Sequence, residues 1–446
     1  MASTYLQRTI SSAGNQKKWT WSAWFKKASI GVDGGLFSFT EDSNNYFRIR
    51  FRSSDKLQVD NNYGGSSTMS LILSRVQRDT NGFYHVVVAY DSAQGTASNR
   101  VKIYVNGTQE TALDTSTYPS QNANTRLGNT GSNIELGRSI SNQYFNGIFS
   151  HVHYCDGYAY AASDFGSTDS ATGEWKINTS PSVSYGTNGF FWLKDSIATT
   201  DHSPNSNTFT VGGGTLTKTE DNPSNNFATL NPLSVKDAQY GLTYGNNRLN
   251  TGSSQDWANA VAATLGATGG KFYWEVKWNA GDGYSITGVI PASKYDICSR
   301  TSGTAVYDSA NALQLNASGN GTIYNAVASN GTLPQQTVGH IFMFALDMEN
   351  KKMWFGSNGT WYNSGNPGAG SNETWASSQF TEDDVWVPYA QGHQVSSDTT
   401  FNFNFGNGYF EGTAVSSAGT NASNNGIFEY DVPSGFTALS TKGLNL

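Results

Sequence analysis

Apolar and polar residues alternate in short runs along this chain, and large rings fill many of the apolar positions. In Trp19–Phe25, residues Trp19, Trp21, Ala23 and Phe25 fall on one face, the imprint of a half-buried strand. Phe83–Tyr90 is a more continuous apolar run and predicts a central strand covered on both faces. Val101–Val105 alternates again, with Val101, Ile103 and Val105 inward, and meets Asn106-Gly107. Asn-Gly supplies the positive φ angles of a type I′ turn, so the chain should fold straight back. Further strands are expected at Tyr46–Phe51, Ile134–Leu136 and Phe145–Tyr154.

The C-terminal half repeats the theme. Phe272, Trp274, Val276 and Trp278 oppose Tyr273, Glu275 and Lys277 across one strand. Ile341–Leu346 reads as a buried strand, followed by a turn at Asp347–Asn350, a strand at Lys352–Phe355 and a hairpin signal at Asn358-Gly359. Phe401–Phe405 places three rings inward and two amides, Asn402 and Asn404, outward. No segment sustains apolar spacing at three and four residues, so long helices are not expected. Short strands separated by turn signals predict an all-β chain of two tandem antiparallel β-sandwiches. The first is expected over 1–194 and the second over 233–446, with a Gly/Asn/Ser-rich linker or set of surface excursions over 195–232. Within that stretch, Phe227–Leu230 is a candidate to pack across the junction.

Composition narrows the classes of function. The 446 residues suit two or three domains, and aromatic residues make up 13% of them, enough to fill large cores. Only 14% of residues are charged and the net charge is −7, which opposes nucleic-acid binding, because phosphate neutralisation needs clustered Lys and Arg. Lys17-Lys18 and Lys26-Lys27 are too small to make a basic track. No apolar run is long enough to span a bilayer, so membrane insertion is not expected. The N-terminus lacks the apolar stretch of a signal peptide, so folding in a reducing cytoplasm is expected. Cys155 and Cys298 fit that setting as unpaired residues, and triplets such as Asn106-Gly107-Thr108 and Asn358-Gly359-Thr360 read as turns.

The order Trp-Ser-Ala-Trp-Phe25, Phe83-Tyr-His-Val-Val-Val88, Val101-Lys-Ile-Tyr-Val-Asn-Gly107 and Ile134-Glu-Leu-Gly-Arg138 resembles laminin-G/concanavalin A-like lectin domains. Phe145–Gly157, Ser163-Asp-Phe-Gly166, Trp175, Tyr185–Phe191 and Asp221–Pro232 are similar to a segment recurring in bacteriophage structural proteins. In the C-terminal half, Gly270–Val276, Ala345-Leu-Asp347, Trp354–Pro367, Phe403-Asn-Phe-Gly406 and Val432–Phe436 resemble a SPRY domain. Both likenesses imply concanavalin A-like sandwiches of jelly-roll type, and the SPRY likeness implies binding of peptides or proteins through loops. The stretch Asp296–Thr337 departs from the SPRY pattern by its length and is expected partly in surface loops.

Concanavalin A-like sandwiches can also carry glycoside hydrolase sites, which need two carboxyl groups facing one cleft. Glu429 with Asp431, and Glu382 with Asp384, are the nearest pairs, and solvated acids at strand ends are the plainer reading of both. His151, His153 and Cys155 alternate on one strand and could share a face as metal ligands, yet the other histidines are scattered and no metal or cofactor is expected. No His-Glu-x-x-His, phosphate loop or Gly-x-Ser-x-Gly elbow occurs. Loops mixing rings with small polar residues make good recognition surfaces, which selects Tyr63, Trp361, Tyr362, Asn363 and Trp375 as candidate ligand contacts.

The expected function is therefore that of a non-enzymatic virion surface protein, a tail or head appendage or decoration protein. It would mediate attachment or assembly through loops and edges. Its expected partners are other virion proteins and a host surface glycan or receptor, with a homo-oligomer, in the first instance a trimer, adding avidity. The first sandwich begins near Met1 with no heptad segment before it, so the sandwiches themselves are expected to dock on the particle exterior. The alternative is a polysaccharide-degrading hydrolase using Glu429 or Asp431.

Overall fold

The computed structural model describes residues 3–445 except 132, 196, 235–240, 252–259, 282–283, 295–311, 318–321, 326–327, 333–335 and 394–397. The chain is all-β: among the described residues there is no α-helix, only strands and short 3-10 turns. It separates into two compact units, residues 1–218 and 219–446.

Each unit is a sandwich of two antiparallel sheets. In the first, one sheet runs in the order Leu113–Thr117, Ser66–Val76, Lys56–Tyr63, Asn45–Phe51, Gly34–Asp42, Asn133–Leu136, Tyr5–Thr9, Thr210–Gly213. The facing sheet is centred on Lys18–Lys27, flanked by Gly147–Asp156 and Phe83–Asp91. Trp19, Trp21, Ala23 and Phe25 point between the sheets and meet Phe37, Phe39, Phe47 and Ile49 from the other side. Trp19 stacks on Tyr90 at 5.2 Å, so the ring alternation is the packing code of this core. Asn106 and Gly107 take φ of 47° and 81°, the predicted I′ geometry.

Two expectations change here. The Lys18–Lys27 strand is not half-buried: its other face, with Ser22 and Trp24, is also buried. Residues from 158 to 189 form a third layer over it, in which Phe165 and Tyr185 pack on Val87, Cys155 and Phe191, the last on the edge strand Phe190–Trp192 of that sheet. The polar stretch 195–232 is not a free connector. Thr210–Gly213 pairs with Tyr5–Thr9, Phe209 joins the first core, and Ala228 and Leu230 join the second unit's core.

In the second unit, one sheet runs Arg248–Asn250, Thr400–Asn404, Lys271–Ala280, Ile341–Asp347, Lys352–Ser357, Thr360–Trp361. The other runs Ala260–Ala262, Trp386–His393, Tyr284–Pro291, Leu313–Asn316, Thr322–Asn325, Ala328–Thr332. Three strands thus come from the stretch 296–337 that was expected partly in loops; Leu313 and Leu315 are buried at period two and tie it to the core. Phe401, Phe403 and Phe405 point inward as predicted. Asn402 and Asn404 lie on the outward face, as expected, but are wholly buried there. The C-terminal segment covers that face, with Phe428, Val432 and Phe436 packed on Tyr273, Met343 and Trp354.

Candidate functional site

The five ring-and-amide candidates separate on burial. Trp375 is not a contact residue: it is fully buried in the second core, and its backbone pairs with Met353. A large apolar ring next to a turn gains more from filling the sandwich than from standing in water. Tyr362 is half-buried against the same core, and Asn363 is exposed with φ of 54°. Tyr63 lies in the first unit at a hairpin tip with Gly64 and Gly65, and is 58% exposed. The Arg126 guanidinium stands 5.0 Å from its ring and is itself paired with Glu41.

Trp361 is different. It occupies the two-residue edge strand Thr360–Trp361 and lines a hollow of about 750 Å³. Two chain segments far apart in sequence build the walls: residues 359–361 and 364–369 on one side, and 431–434 on the other. The local sequence explains the shape. Asn358-Gly359 turns the chain at φ of 46° and 81°, and Asn363 and Ser364 both hold left-handed φ, which bends the backbone away from the sheet. Asn366 accepts the N–H of Ala369 through its side chain at 3.1 Å and fixes the Pro367 turn. Gly356 sits beneath the indole, where an added Cβ would come within 3.0 Å of Trp361.

The opposite wall is held by a buried carboxylate. Glu275, wholly inaccessible, accepts the backbone N–H groups of Glu429 at 2.9 Å and Tyr430 at 2.8 Å. It also takes the Tyr273 hydroxyl at 3.0 Å and the Asn404 amide at 3.1 Å. Sequence reasoning passed over Ser364, Asn366, Pro367, Pro433 and Ser434, although Ser-Gly-Asn-Pro and Pro-Ser-Gly are turn signals that could have marked two loops meeting.

Three of the four paired acids are held by neighbouring donors. Asp431 lines the hollow, with Oδ1 accepting the Thr420 N–H at 2.6 Å and hydroxyl at 2.7 Å. Those bonds hold its carboxyl below the usual range. Glu429 does not line the hollow and is bound to Ser416. Asp384 is held below its ordinary range by the Ser293 side chain first, and also by the Ser293 N–H, which it accepts at 2.6 Å. A general acid needs the opposite shift.

In the first unit, His153 lies under the third layer, with Nδ1 3.0 Å from the Tyr185 hydroxyl and its ring 4.0 Å from Phe191. The register slips between Ser150 and His153, and His151, at φ of 48°, bonds Ser150 instead. Cys155 is buried beside Val87 and Phe165; Cys298 lies outside the described residues. No group of three His, Cys, Asp or Glu side chains suited to a metal forms among the described residues. A Ser–His contact does occur: Ser22 Oγ is 2.9 Å from His85 Nε2. The Trp175 indole donates to His85 Nδ1 at 3.0 Å, so the ring's proton sits on Nε2 and points at the serine. That tautomer cannot accept the serine proton, and both residues are fully buried.

Structural comparison gives similar sandwiches. A heptameric SAP-like pentraxin from Limulus polyphemus is 15% identical with a TM-score of 0.27, over 35% of this chain and 71% of that one. The SPRY domain of human HERC1 is 15% identical with a TM-score of 0.29, over 39% and 96%. The TRIM65 PSpry domain is 14% identical with a TM-score of 0.28, over 40% and 91%. No curated protein matches the chain. Residues 2–162, which carry most of the first sandwich, match the family model of the concanavalin A-like lectin/glucanases superfamily.

Proposed function

We propose that this chain is a non-enzymatic binding protein of a bacteriophage virion, exposed on the tail or capsid, that attaches to a host surface glycan or receptor or to neighbouring virion proteins. The observation that carries the binding half is the hollow at Trp361. It offers one ring, turn backbone and small polar side chains, and among its described lining residues Asp431 is the one carboxylate. Hydrolysis of a glycosidic bond takes two carboxyl groups with separated pKa values, whereas binding takes a rigid ring and adaptable hydrogen-bonding groups. The buried, proton-blocked Ser22–His85 contact supports the same reading against acyl transfer.

The virion half is supported by the phage-type segments, of which Ser163–Gly166, Trp175 and part of Tyr185–Phe191 fall on the third layer of the first unit, Phe145–Gly157 on the sheet beneath it and Asp221–Pro232 in the second unit. Phe165, Trp175 and Tyr185 from those segments cover the central sheet. Several copies on one particle would multiply weak single contacts, which suits a shallow site. Mass spectrometry of purified particles should find this polypeptide. Its absence from particles would remove the virion reading, and release of sugar from host polysaccharide by the purified chain would replace binding with catalysis.

A further inference from the structure

We infer that the hollow at Trp361 binds the ring of a neutral hexopyranose, an inference that rests on the binding function proposed above. Such a sugar has an apolar C–H face and a rim of hydroxyl groups that both donate and accept hydrogen bonds. The hollow has the matching parts. Trp361 lies over Gly356 and contributes its accessible part to the floor, while Pro367, Val432 and Pro433 add apolar wall. Thr360, Ser364, Asn366 and Ser434 place hydroxyl and amide groups around it, and Asp431 adds a carboxylate. Thr420 engages Asp431 Oδ1, and the exposed carboxylate keeps Oδ2 to offer to a hydroxyl.

Charge and shape select among ligands. Among the described lining residues there is no Lys, Arg or His, so an anionic sugar or a phosphate would meet only Asp431 and be repelled. A cationic side chain would pair with Asp431 alone, whereas a polyhydroxylated ring can also donate to and accept from the neutral Thr360, Ser364, Asn366 and Ser434. An extended peptide would add to the exposed strand edge, but here that edge is two residues long before the chain turns at Tyr362–Ser364. The volume of about 750 Å³ suits one or two sugar rings rather than a helix.

The full chain tested by saturation-transfer NMR against methyl glucoside, methyl galactoside, methyl mannoside, sialic acid and a lysine-containing peptide should respond to one or more of the neutral glycosides and not to sialic acid. Trp361→Ala should weaken that binding by about tenfold or more. Gly368→Phe adds a ring at a residue that lines the hollow, where its Cβ would meet Ser434 at ordinary contact distance, and should do the same if Trp361→Ala folds poorly. Val32→Ala, at an exposed position of the other unit, should leave it unchanged. Neutral-sugar binding that survives both hollow variants overturns the assignment, as does preference for sialic acid or for the peptide. Peptide binding lost in Gly368→Phe would sink the sugar and leave a binding protein standing. No binding of any probe by a chain that is present in particles overturns the sugar assignment and leaves assembly as the function.

Discussion

Glu275 Oε1 accepts the backbone N–H of Tyr430 at 2.8 Å, joining the middle of a central strand to a segment near the C-terminus. This contact explains how the face bearing Asn404, Tyr273 and Trp354 comes to be covered. It also places Asp431 at the mouth of the hollow, because the residue before it is pinned to the sheet.

Removing that carboxylate should loosen the wall it holds. Glu275→Ala leaves two backbone N–H groups and the Asn404 amide without their acceptor, at a cost of about 3 kcal/mol or more. Chemical denaturation should show the loss in the second unit. A stability within about 0.5 kcal/mol of the parent protein would mean that water replaces the carboxylate.

The two units should respond to pH in opposite directions. Burial pushes the Glu275 carboxyl up to about 7, against its four donors, and the Tyr273 hydroxyl can turn to accept the added proton. A pKa raised above the unfolded value means that stability is complete below about 4.5 and falls as pH rises to about 7, by about 3 kcal/mol. In the first unit, burial pushes His85 down to about 3 and His151 to about 4, and holds His153 well below its ordinary value. The unfolded chain binds those protons first, so stability there falls as pH drops below about 6.5. Calorimetry at pH 7 and pH 5 should resolve a first-unit transition that moves down and a second-unit transition that moves up. Parallel movement of both would contradict the assignment, and Glu275→Gln should flatten the second.

Trp361 and Trp375 should behave as different kinds of residue. Trp375→Ala empties a fully buried site and should cost about 3–5 kcal/mol. Trp361→Ala removes a half-buried ring and should cost about 1–2 kcal/mol while weakening the proposed sugar binding by about tenfold or more. Equal losses of stability in urea would show that both rings are core.

Gly107 carries two constraints at once. Its φ is 81°, and a Cβ there would fall 2.4 Å from the Trp175 ring. Gly107→Ala should therefore destabilise the first unit by about 1–3 kcal/mol and displace the indole that bonds His85, visible in the near-ultraviolet circular dichroism. An unchanged spectrum would place Trp175 elsewhere.

Strand identity was legible wherever pairing is local and the side-chain period is two. Trp19–Phe25, Val101–Gly107, Phe272–Trp278 and Phe401–Phe405 each carry their inward face in their own residues. What covers the second face of a strand is supplied by segments distant in sequence. Hence Asn402 and Asn404 face outward as expected and are nevertheless buried, and Ser22 and His85 form a bonded pair under a third layer.

The sequence alone determined that this is an all-β chain of ring-filled sandwiches with I′ hairpins, because alternation and Asn-Gly turns act over a few residues. Only the tertiary structure decided which rings face water and where a ligand can sit. Trp361 and Trp375 are alike as letters near turns, and the long-range closure that Glu275 imposes on residues 429–431 makes one the floor of a hollow while core packing buries the other.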